Sequence, residues 1–200
     1  DGKDIHRFTA AEVLGKSQED VTSEERSHAK AVNFGIIYGI SDFGLSRDLG
    51  ITRQEAKNYI ELYFSRYPKV KEYMDNMVKE AHETGKVRTM FGRMRELPDI
   101  NSRNFNRRSF AERTAMNTPI QGTAADIIKL AMNKVESILE EKKFKSRLLL
   151  QVHDELVLEV VNEELDAIQT VLKETMESIV ELHVPLIVDV HNAENWALVK

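Results

Sequence analysis

A histidine and two carboxylates stand together in the stretch VHDE, between two apolar segments that are typical of β-strands, RLLLQV and ELVLEVV. Only His153 and Asp154 separate the strands, although two-residue turns favour glycine-containing pairs because the turn needs positive φ. Asp154 and the following Glu155 offer rigid, adjacent oxygen ligands of the kind that suit Mg²⁺. Such an ion can stabilise charge in phosphoryl transfer. The alternative interpretation is a solvated turn without a ligand.

The hairpin supplies only part of a phosphoryl-transfer site, because a two-metal mechanism needs more than one carboxylate position. Asp189, in the predicted strand PLIVDVH, is the only other acid that this pattern could place on a neighbouring strand. The hairpin by itself is therefore half of a site.

A second pattern lies in TSEERSHAKAVNFGIIYGI, where Arg26, Lys30, Phe34 and Tyr38 recur at every fourth residue. Each step of four turns about 40° around a helix, so two cations and then two aromatic rings follow one face. The opposite face is apolar and can pack inward. Near the positive end of the helix dipole the cations suit a polyphosphate, and Phe34 could stack on a base. The alternative is a solvated basic turn followed by aromatic residues of the core.

A third pattern is a polar ladder in RRSFAERTAMNTPIQGTAADIIKLAM. Arg113, Asn117 and Gln121 recur at steps of four and follow Arg107 and Arg108. Asn and Gln can donate to the acceptors that all base pairs show in the minor groove, and Arg can bind phosphate. Helix capping by the two amides is the alternative, and the sequence does not decide between them.

Charge supports a polyanionic ligand although the chain carries −5 overall. Residues 86–113 hold eight bases and three acids, a net +5, whereas residues 136–181 hold five bases and twelve acids, a net −7. Such asymmetry suggests one surface for a polyanion and another for solvent or metal. The absence of cysteine excludes disulfides and thiolate chemistry. No apolar run approaches the roughly 20 residues that a membrane span needs.

Periodicity and capping signals predict an α+β fold, with a helical part followed by a small antiparallel sheet. We expect helices over 4–14, 22–39, 52–67 and 70–85, and a hairpin that turns at Phe91-Gly92. A helix over 109–116 is expected to be interrupted at Pro119 and Gly122 before a longer helix reaches about residue 141. The chain should then form strand, tight turn, strand, a helix over 163–182 and the strand PLIVDVH. Gly35 and Gly39 weaken their helix, so we expect another surface to approach them closely.

In order, these motifs resemble family A DNA polymerases over nearly all 200 residues. RSHAKAVNFGIIYG resembles that family's nucleotide-binding helix, and VHDE resembles its third catalytic motif. RTAMNTPIQGTAADIIK and the closing ENW are similar to the same family. The resemblance implies that residues 1–117 are a fingers subdomain, with the nucleotide-binding helix at 22–39. Residues 118–200 would be a partial palm carrying the hairpin 147–161.

The resemblance also implies a role for each matching side chain. Arg26 and Lys30 would hold the triphosphate with help from His6, Phe34 would pack on the sugar and base, and Tyr38 would lie near the template base. Asp154 and Glu155 would be metal-binding catalytic carboxylates, with Lys30 as a further catalytic residue and two Mg²⁺ ions in the complete enzyme. The implied DNA-binding residues are Arg107, Arg108, Arg113, Asn117, Gln121 and His153.

The implied function is template-directed DNA synthesis, with transfer of a nucleotidyl group from a dNTP to a primer 3′-OH. The family's earlier Asp-Tyr-Ser motif does not appear in this sequence. We therefore expect a C-terminal fragment that lacks an N-terminal part of the same polypeptide and is inactive alone. Primer–template DNA and deoxynucleoside triphosphates are the expected partners, with no membrane and a bacterial, cytoplasmic, nucleoid-associated location. The alternatives are a non-catalytic nucleic-acid-binding module and a helical scaffold.

Overall fold

Helices dominate the computed structural model, which describes residues 4–199 and confirms the predicted α+β class. Two short 3₁₀ turns, Asn162–Glu164 and Trp196–Leu198, accompany the regular elements. In chain order these elements are α1 Ile5–Leu14, α2 Ser23–Ile37, α3 Asp42–Leu49, α4 Arg53–Arg66, α5 Pro68–Thr84, β1 Lys86–Arg88, β2 Met94–Glu96, α6 Phe105–Glu141, β3 Arg147–Val152, β4 Glu155–Glu159 and α7 Leu165–Glu177.

The chain divides into two compact units, residues 1–120 and residues 121–200. Helix α6 begins in the first unit and ends in the second. The predicted boundary between residues 117 and 118 falls inside this helix. The assignment of the two segments to fingers and palm stays a prediction.

Capping boxes begin α2 and α4, where the sequence predicts them. The Thr22 hydroxyl accepts from the backbone N–H of Glu25 at 3.2 Å, and the Glu25 carboxylate accepts from the N–H of Thr22 at 2.9 Å. Thr52 and Glu55 repeat the pair at the start of α4. Each box satisfies N–H groups that have no partner inside the helix. A hydrogen bond from Lys16 and the bonds from Thr22 lower the pKa of Glu25 to about 2.

Helix α6 runs through Pro119, so the predicted interruption at Pro119 and Gly122 is wrong. A proline inside a helix removes one hydrogen bond and costs about 3 kcal/mol. Burial on both sides of the proline offsets this cost. Ala111 and Ala115 pack with the β1–β2 hairpin in the first unit, and Val135 and Leu139 are core residues of the second.

Helix α3 is absent from the sequence prediction, although local signals mark it. Ser41 caps its N-terminus by accepting from the N–H of Gly44 at 3.1 Å, and Gly50 ends it at φ 67°. Its Leu45 is completely buried in the core of the first unit. The element has only eight residues, which is too short for a clear helical period.

The second unit is built on the β3–β4 hairpin, with the two-residue turn that the sequence predicts. A register irregularity between Leu148 and Leu150 bends β3. Leu148, Leu156 and Leu158 pack toward α7 and the end of α6, around the buried residues Val135, Leu139 and Ile168.

Residues 185–191 form no strand among the described residues, so the predicted third strand is wrong. An alternating apolar pattern gives β-propensity, but a strand also needs a neighbour that supplies backbone hydrogen bonds. Here the N–H of Val188 donates to the Glu177 carboxylate at 3.0 Å instead. Helix α7 ends at Glu177, before the predicted residue 182, and the Ser178 hydroxyl donates to the Glu174 carbonyl at 2.6 Å.

Glu164 fixes the base of the hairpin. Its carboxylate accepts from the backbone N–H groups of Lys145 and Ser146 and from the Ser146 hydroxyl, at 2.6 to 3.1 Å. These donors lower the pKa of Glu164, with the Lys145 N–H as the largest cause. The same Ser146 hydroxyl accepts from the N–H of Val161 at 3.0 Å. The two ends of the hairpin are therefore tied together by side chains as well as by strand pairing.

The end of α2 meets α6 at Gly39. Gly39 has φ 66°, and a methyl group built on it would lie 2.9 Å from Cγ of Arg113 and still closer to Cε of Met116. A methyl group on Gly35 would lie 2.7 Å from Cγ2 of Ile40. The predicted close approach of another surface is therefore confirmed at Gly39, whereas Gly35 is approached by Ile40 of its own segment.

Gly39→Ala and Gly50→Ala form a matched pair of test variants. Both glycines follow a helix at φ near 66°, so alanine at either position costs about 1–2 kcal/mol of backbone strain. Gly50 has no atom within 4 Å of the added methyl group, whereas Gly39 faces Arg113 and Met116. We expect Gly39→Ala to lower the free energy of unfolding by about 1 kcal/mol more than Gly50→Ala. Urea denaturation checks this difference, and equal losses would contradict the packing at Gly39.

His82 joins α5 to α6 through both of its ring nitrogens. Nδ1 lies 2.8 Å from Oδ1 of Asn101, and Nε2 lies 3.0 Å from Oε1 of Glu112. The Asn101 amide nitrogen donates to the His82 carbonyl, which leaves its oxygen facing the ring. Two acceptors require a doubly protonated ring. These hydrogen bonds, that of Asn101 first, raise the pKa of His82 above its ordinary value of 6.5, although nearby Arg108 opposes the shift.

We expect this contact to make stability depend on pH. The folded-state pKa of His82 lies above its unfolded value. The contribution of protonated His82 to the free energy of unfolding is therefore complete below pH 6.5 and is lost as pH rises through the folded-state pKa. The free energy of unfolding should therefore fall as pH rises above 6.5. Urea denaturation of the chain and of its His82→Gln variant at several pH values measures the part of the free energy of unfolding that depends on His82. An identical pH dependence in both would contradict the prediction.

Across residues 4–199, no helix is both long enough and apolar enough to cross a lipid bilayer.

Candidate functional site

The stripe of helix α2 forms an exposed surface, here called the cationic–aromatic face and defined by Arg26, Lys30, Phe34 and Tyr38. Lys30 is exposed, and Phe34 and Tyr38 keep 48% and 44% of their surfaces accessible. Exposure of this size decides against the alternative that the aromatic rings belong to the core. The opposite side of α2 is buried, as the sequence predicts, at Ala29, Val32 and Ile36.

Arg26 is held by a carboxylate from the neighbouring helix. Its Nε lies 2.6 Å from Oδ2 of Asp4, the residue that caps α1. The other carboxylate oxygen of Asp4 accepts from the N–H groups of His6 and Arg7 at 3.0 Å. The bond from Arg26, followed by those from the backbone, lowers the pKa of Asp4 to about 2. Because the bond uses Nε, the two terminal nitrogens of Arg26 remain available for an anion.

Lys30 differs from Arg26 in having no ion pair or side-chain hydrogen bond within residues 4–199. It lies one turn after Arg26, at the middle residue of α2. The face therefore presents an unpaired ammonium group beside a pre-oriented guanidinium group. Both are suited to a polyphosphate.

His6 of α1 joins the same surface. Its ring centroid lies 5.7 Å from that of Phe34, and its Nδ1 lies 3.1 Å from Nδ2 of Asn33. The Asn33 amide also donates to the Thr9 hydroxyl at 3.1 Å. The structure thus places His6 beside the cationic–aromatic face, and its role there stays a prediction. Asn33 is not among the predicted site residues, although its spacing of three from Lys30 could have identified it.

Two residues of the predicted DNA-binding ladder lie in the first unit. Arg113 packs against Gly39, next to Tyr38, and its guanidinium donates to the Ser109 hydroxyl at 2.9 Å. The amide oxygen of Asn117 is buried and has no hydrogen-bond partner among the described residues. A buried acceptor without a hydrogen-bond partner is unusual in folded proteins. Gln121 begins the second unit.

The two arginines that precede the ladder differ in their surroundings. Arg107 keeps 70% of its side chain accessible and lies 3.9 Å from Asp99. Arg108 donates to the Ser102 carbonyl at 3.0 Å and lies over the Phe105 ring at 5.8 Å. Arg107 is therefore open to a phosphate, whereas the guanidinium of Arg108 also supports the local fold.

The tip of the β3–β4 hairpin carries a strained histidine and two exposed acids. His153 adopts φ 54°, the left-handed region that a non-glycine residue rarely occupies. The Gln151 amide donates to its carbonyl at 2.6 Å. Asp154 and Glu155 are exposed, and Glu155 pairs with Val152 at the start of β4. Strain of this kind often occurs at functional positions, where surrounding structure maintains it.

The two acids fit a hard divalent cation in their chemistry, since adjacent carboxylate oxygens are ligands that Mg²⁺ prefers. Asp154 has no hydrogen bond or ion pair in the described part of the chain, so its oxygens are available. No group of three or more His, Cys, Asp or Glu side chains within residues 4–199 could hold a metal ion. Asp189 does not extend the pair, because its segment forms no strand beside the hairpin. The tip of the hairpin thus presents two adjacent carboxylates.

The exposed helix face of cations and aromatic rings, the polar ladder and the acidic hairpin follow one another along the chain in the order in which the sequence motifs stand. The chain belongs to DNA polymerase family A, whose family model matches residues 1–198.

Its relatives are bacterial polymerases. The chain is 59% identical over 196 residues to DNA polymerase I of Lactococcus lactis and 57% identical over 195 residues to DNA polymerase I of Geobacillus stearothermophilus. Each match covers 98% of this chain and 22% of the relative, so the chain spans about a fifth of their length.

A solved structure is similar over most of the chain. It is the POL domain of Pol1 from M. smegmatis in complex with DNA primer-template and dNTP, with a TM-score of 0.87 and 42% sequence identity. The match covers 92% of this chain and 33% of that chain.

Proposed function

We propose that this chain is the nucleotide-binding and part of the catalytic portion of a DNA-directed DNA polymerase. The reaction is transfer of a nucleotidyl group from a dNTP to a primer 3′-OH by a two-metal mechanism. The observation that carries this proposal is the cationic–aromatic face with His6 beside it. Within one helix this face offers the unpaired ammonium group of Lys30, the guanidinium of Arg26, whose Nε is bound by Asp4, and the exposed ring of Phe34.

The nucleotide lies along α2 in this proposal. Arg26, Lys30 and His6 contact the triphosphate near the positive end of the helix, where the dipole adds to their attraction. Phe34 packs on the sugar and base. Tyr38, at the end of the helix, lies near the template base and tests the shape of the new pair.

DNA contacts follow the end of this face. The packing of Arg113 against Gly39 supports a position for the ladder beside Tyr38. Donors at these positions can recognise minor-groove acceptors that are independent of sequence. Gln121 continues the ladder, Arg107 and Arg108 bind backbone phosphate, and His153 contacts the primer end.

Asp154 and Glu155 would hold Mg²⁺, with two ions in the complete enzyme. The ions supply charge stabilisation for the attacking and leaving oxygens. The residues of this chain orient the nucleotide, and within residues 4–199 these two acids are not joined by a third possible ligand in one metal-binding group. We therefore expect the isolated chain to bind a dNTP and DNA and to catalyse no extension, as a part of a longer polypeptide.

Two measurements test the proposed function. Equilibrium binding of Mg·dNTP and primer–template to the chain should be detectable and should weaken as salt rises, because phosphate contacts release counterions. A chimera in which this chain replaces the matching segment of the Lactococcus lactis relative should extend a primer. Binding without extension by the chimera would favour the non-catalytic nucleic-acid-binding module. Absence of both would refute the proposal.

A further inference from the structure

Asn33 lies where it can control the chemistry of His6. It belongs to the same side of α2 as Arg26 and Lys30, and its amide nitrogen is within 3.1 Å of His6 Nδ1. The same nitrogen donates to Thr9, a residue of α1 that is only 2% exposed. One amide group thereby links α2 to two successive turns of α1.

The orientation of the Asn33 amide, with its nitrogen toward both His6 Nδ1 and the Thr9 hydroxyl, indicates which nitrogen of His6 carries the proton. An amide nitrogen only donates, so Nδ1 of a neutral ring must accept from Asn33 with its lone pair. The ring proton then resides on Nε2. Within residues 4–199, Nε2 has no hydrogen-bond partner, and the ring stands beside the exposed Phe34.

We propose that Asn33 is a positioning residue that fixes His6 in the Nε2–H tautomer, so that His6 presents a donor to a phosphate oxygen. The proposal rests on the proposed function for its ligand, a nucleoside triphosphate. In the opposite tautomer, the Nε2 lone pair would face the anion and repel it. In histidine, the hydrogen bond made by one ring nitrogen usually determines whether the other ring nitrogen carries the proton.

Nuclear magnetic resonance of the ¹⁵N-histidine-labelled chain tests the tautomer directly, with the His6 signal assigned from its absence in His6→Gln. At a pH where the ring is neutral, we expect the Nε2–H form in the wild-type chain. Thr9→Val should leave this tautomer unchanged, because it removes only the other contact of the Asn33 amide. Asn33→Leu should give a mixture, and Asn33→Asp should favour Nδ1–H, because a carboxylate accepts. A dominant Nδ1–H form in the wild-type chain would overturn the proposal.

A double-mutant cycle tests whether the tautomer matters for binding. Asn33→Leu should weaken Mg·dNTP affinity by about two- to tenfold, the value of one hydrogen bond. In the His6→Gln background the same substitution should have no effect, since glutamine has no tautomers. An equal loss in both backgrounds would mean that Asn33 supports only the fold, and would refute the positioning role. If the wild-type chain binds no Mg·dNTP, the proposed function fails, whereas the tautomer measurement still decides the role of Asn33.

Discussion

Asp154→Asn is expected to abolish primer extension by the chimera described above while leaving the protein folded. The substitution keeps the shape of the side chain and removes the charge that would bind Mg²⁺. Metal-ion stabilisation of phosphoryl transfer contributes several kcal/mol, so we expect a loss of about a thousandfold or more in rate. Because Asp154 makes no hydrogen bond or ion pair in the described part of the chain, its replacement should not lower thermal stability.

Asp189→Asn is the matched control for this experiment. Asp189 is exposed in the same unit and has no strand neighbour, so we expect its variant to retain full extension. Single-turnover extension with excess Mg·dNTP separates the chemical step from nucleotide affinity. Wild-type rates for Asp154→Asn, or equal losses in both variants, would exclude the hairpin as the catalytic carboxylate site.

Lys30→Ala is expected to weaken binding of Mg·dNTP by about ten- to a hundredfold, since a hydrogen bond to a charged group contributes about 1.5–3 kcal/mol. Lys30 is the member of the cationic–aromatic face that has no partner within the described residues. Its ammonium group therefore meets a phosphate without first breaking an ion pair. The loss should be smaller in high salt, because the exposed site is screened. Isothermal titration of the 200-residue chain measures it.

Lys79→Ala provides the control, because Lys79 is an exposed lysine of α5 that lies on a different helix. It removes the same charge from the same unit, so any general effect of net charge appears in both variants. Neither variant should change the midpoint of urea denaturation. An affinity loss of the same size for both would show that Lys30 acts through net charge and would contradict its direct contact with the triphosphate.

Local chemistry determined the elements that the sequence predicts correctly. Thr22 and Thr52 each meet a glutamate three residues later, and both capping boxes form because donor and acceptor lie within one turn. The exposed stripe of α2 follows from helical spacing alone, as does its buried opposite face. The position of the hairpin tip is also set by local sequence, because only His153 and Asp154 lie between the two apolar strands.

Tertiary structure decided the features that involve distant residues. Packing around Ala115 and Val135 carries α6 through Pro119, although the proline by itself predicts a break. Residues 185–191 have strand-like alternation and remain unpaired in the described chain, because pairing depends on a neighbour that a single segment does not specify.

The site shows the same division. The sequence by itself determined which residue types stand at which spacing: the cations and rings of α2, the polar ladder and the acids of the hairpin. Only the folded chain brought Asp4 to Arg26, Asn33 to His6 and Arg113 to Gly39. Spacing along one helix is fixed by backbone geometry, whereas contacts between helices depend on how all their buried faces pack together.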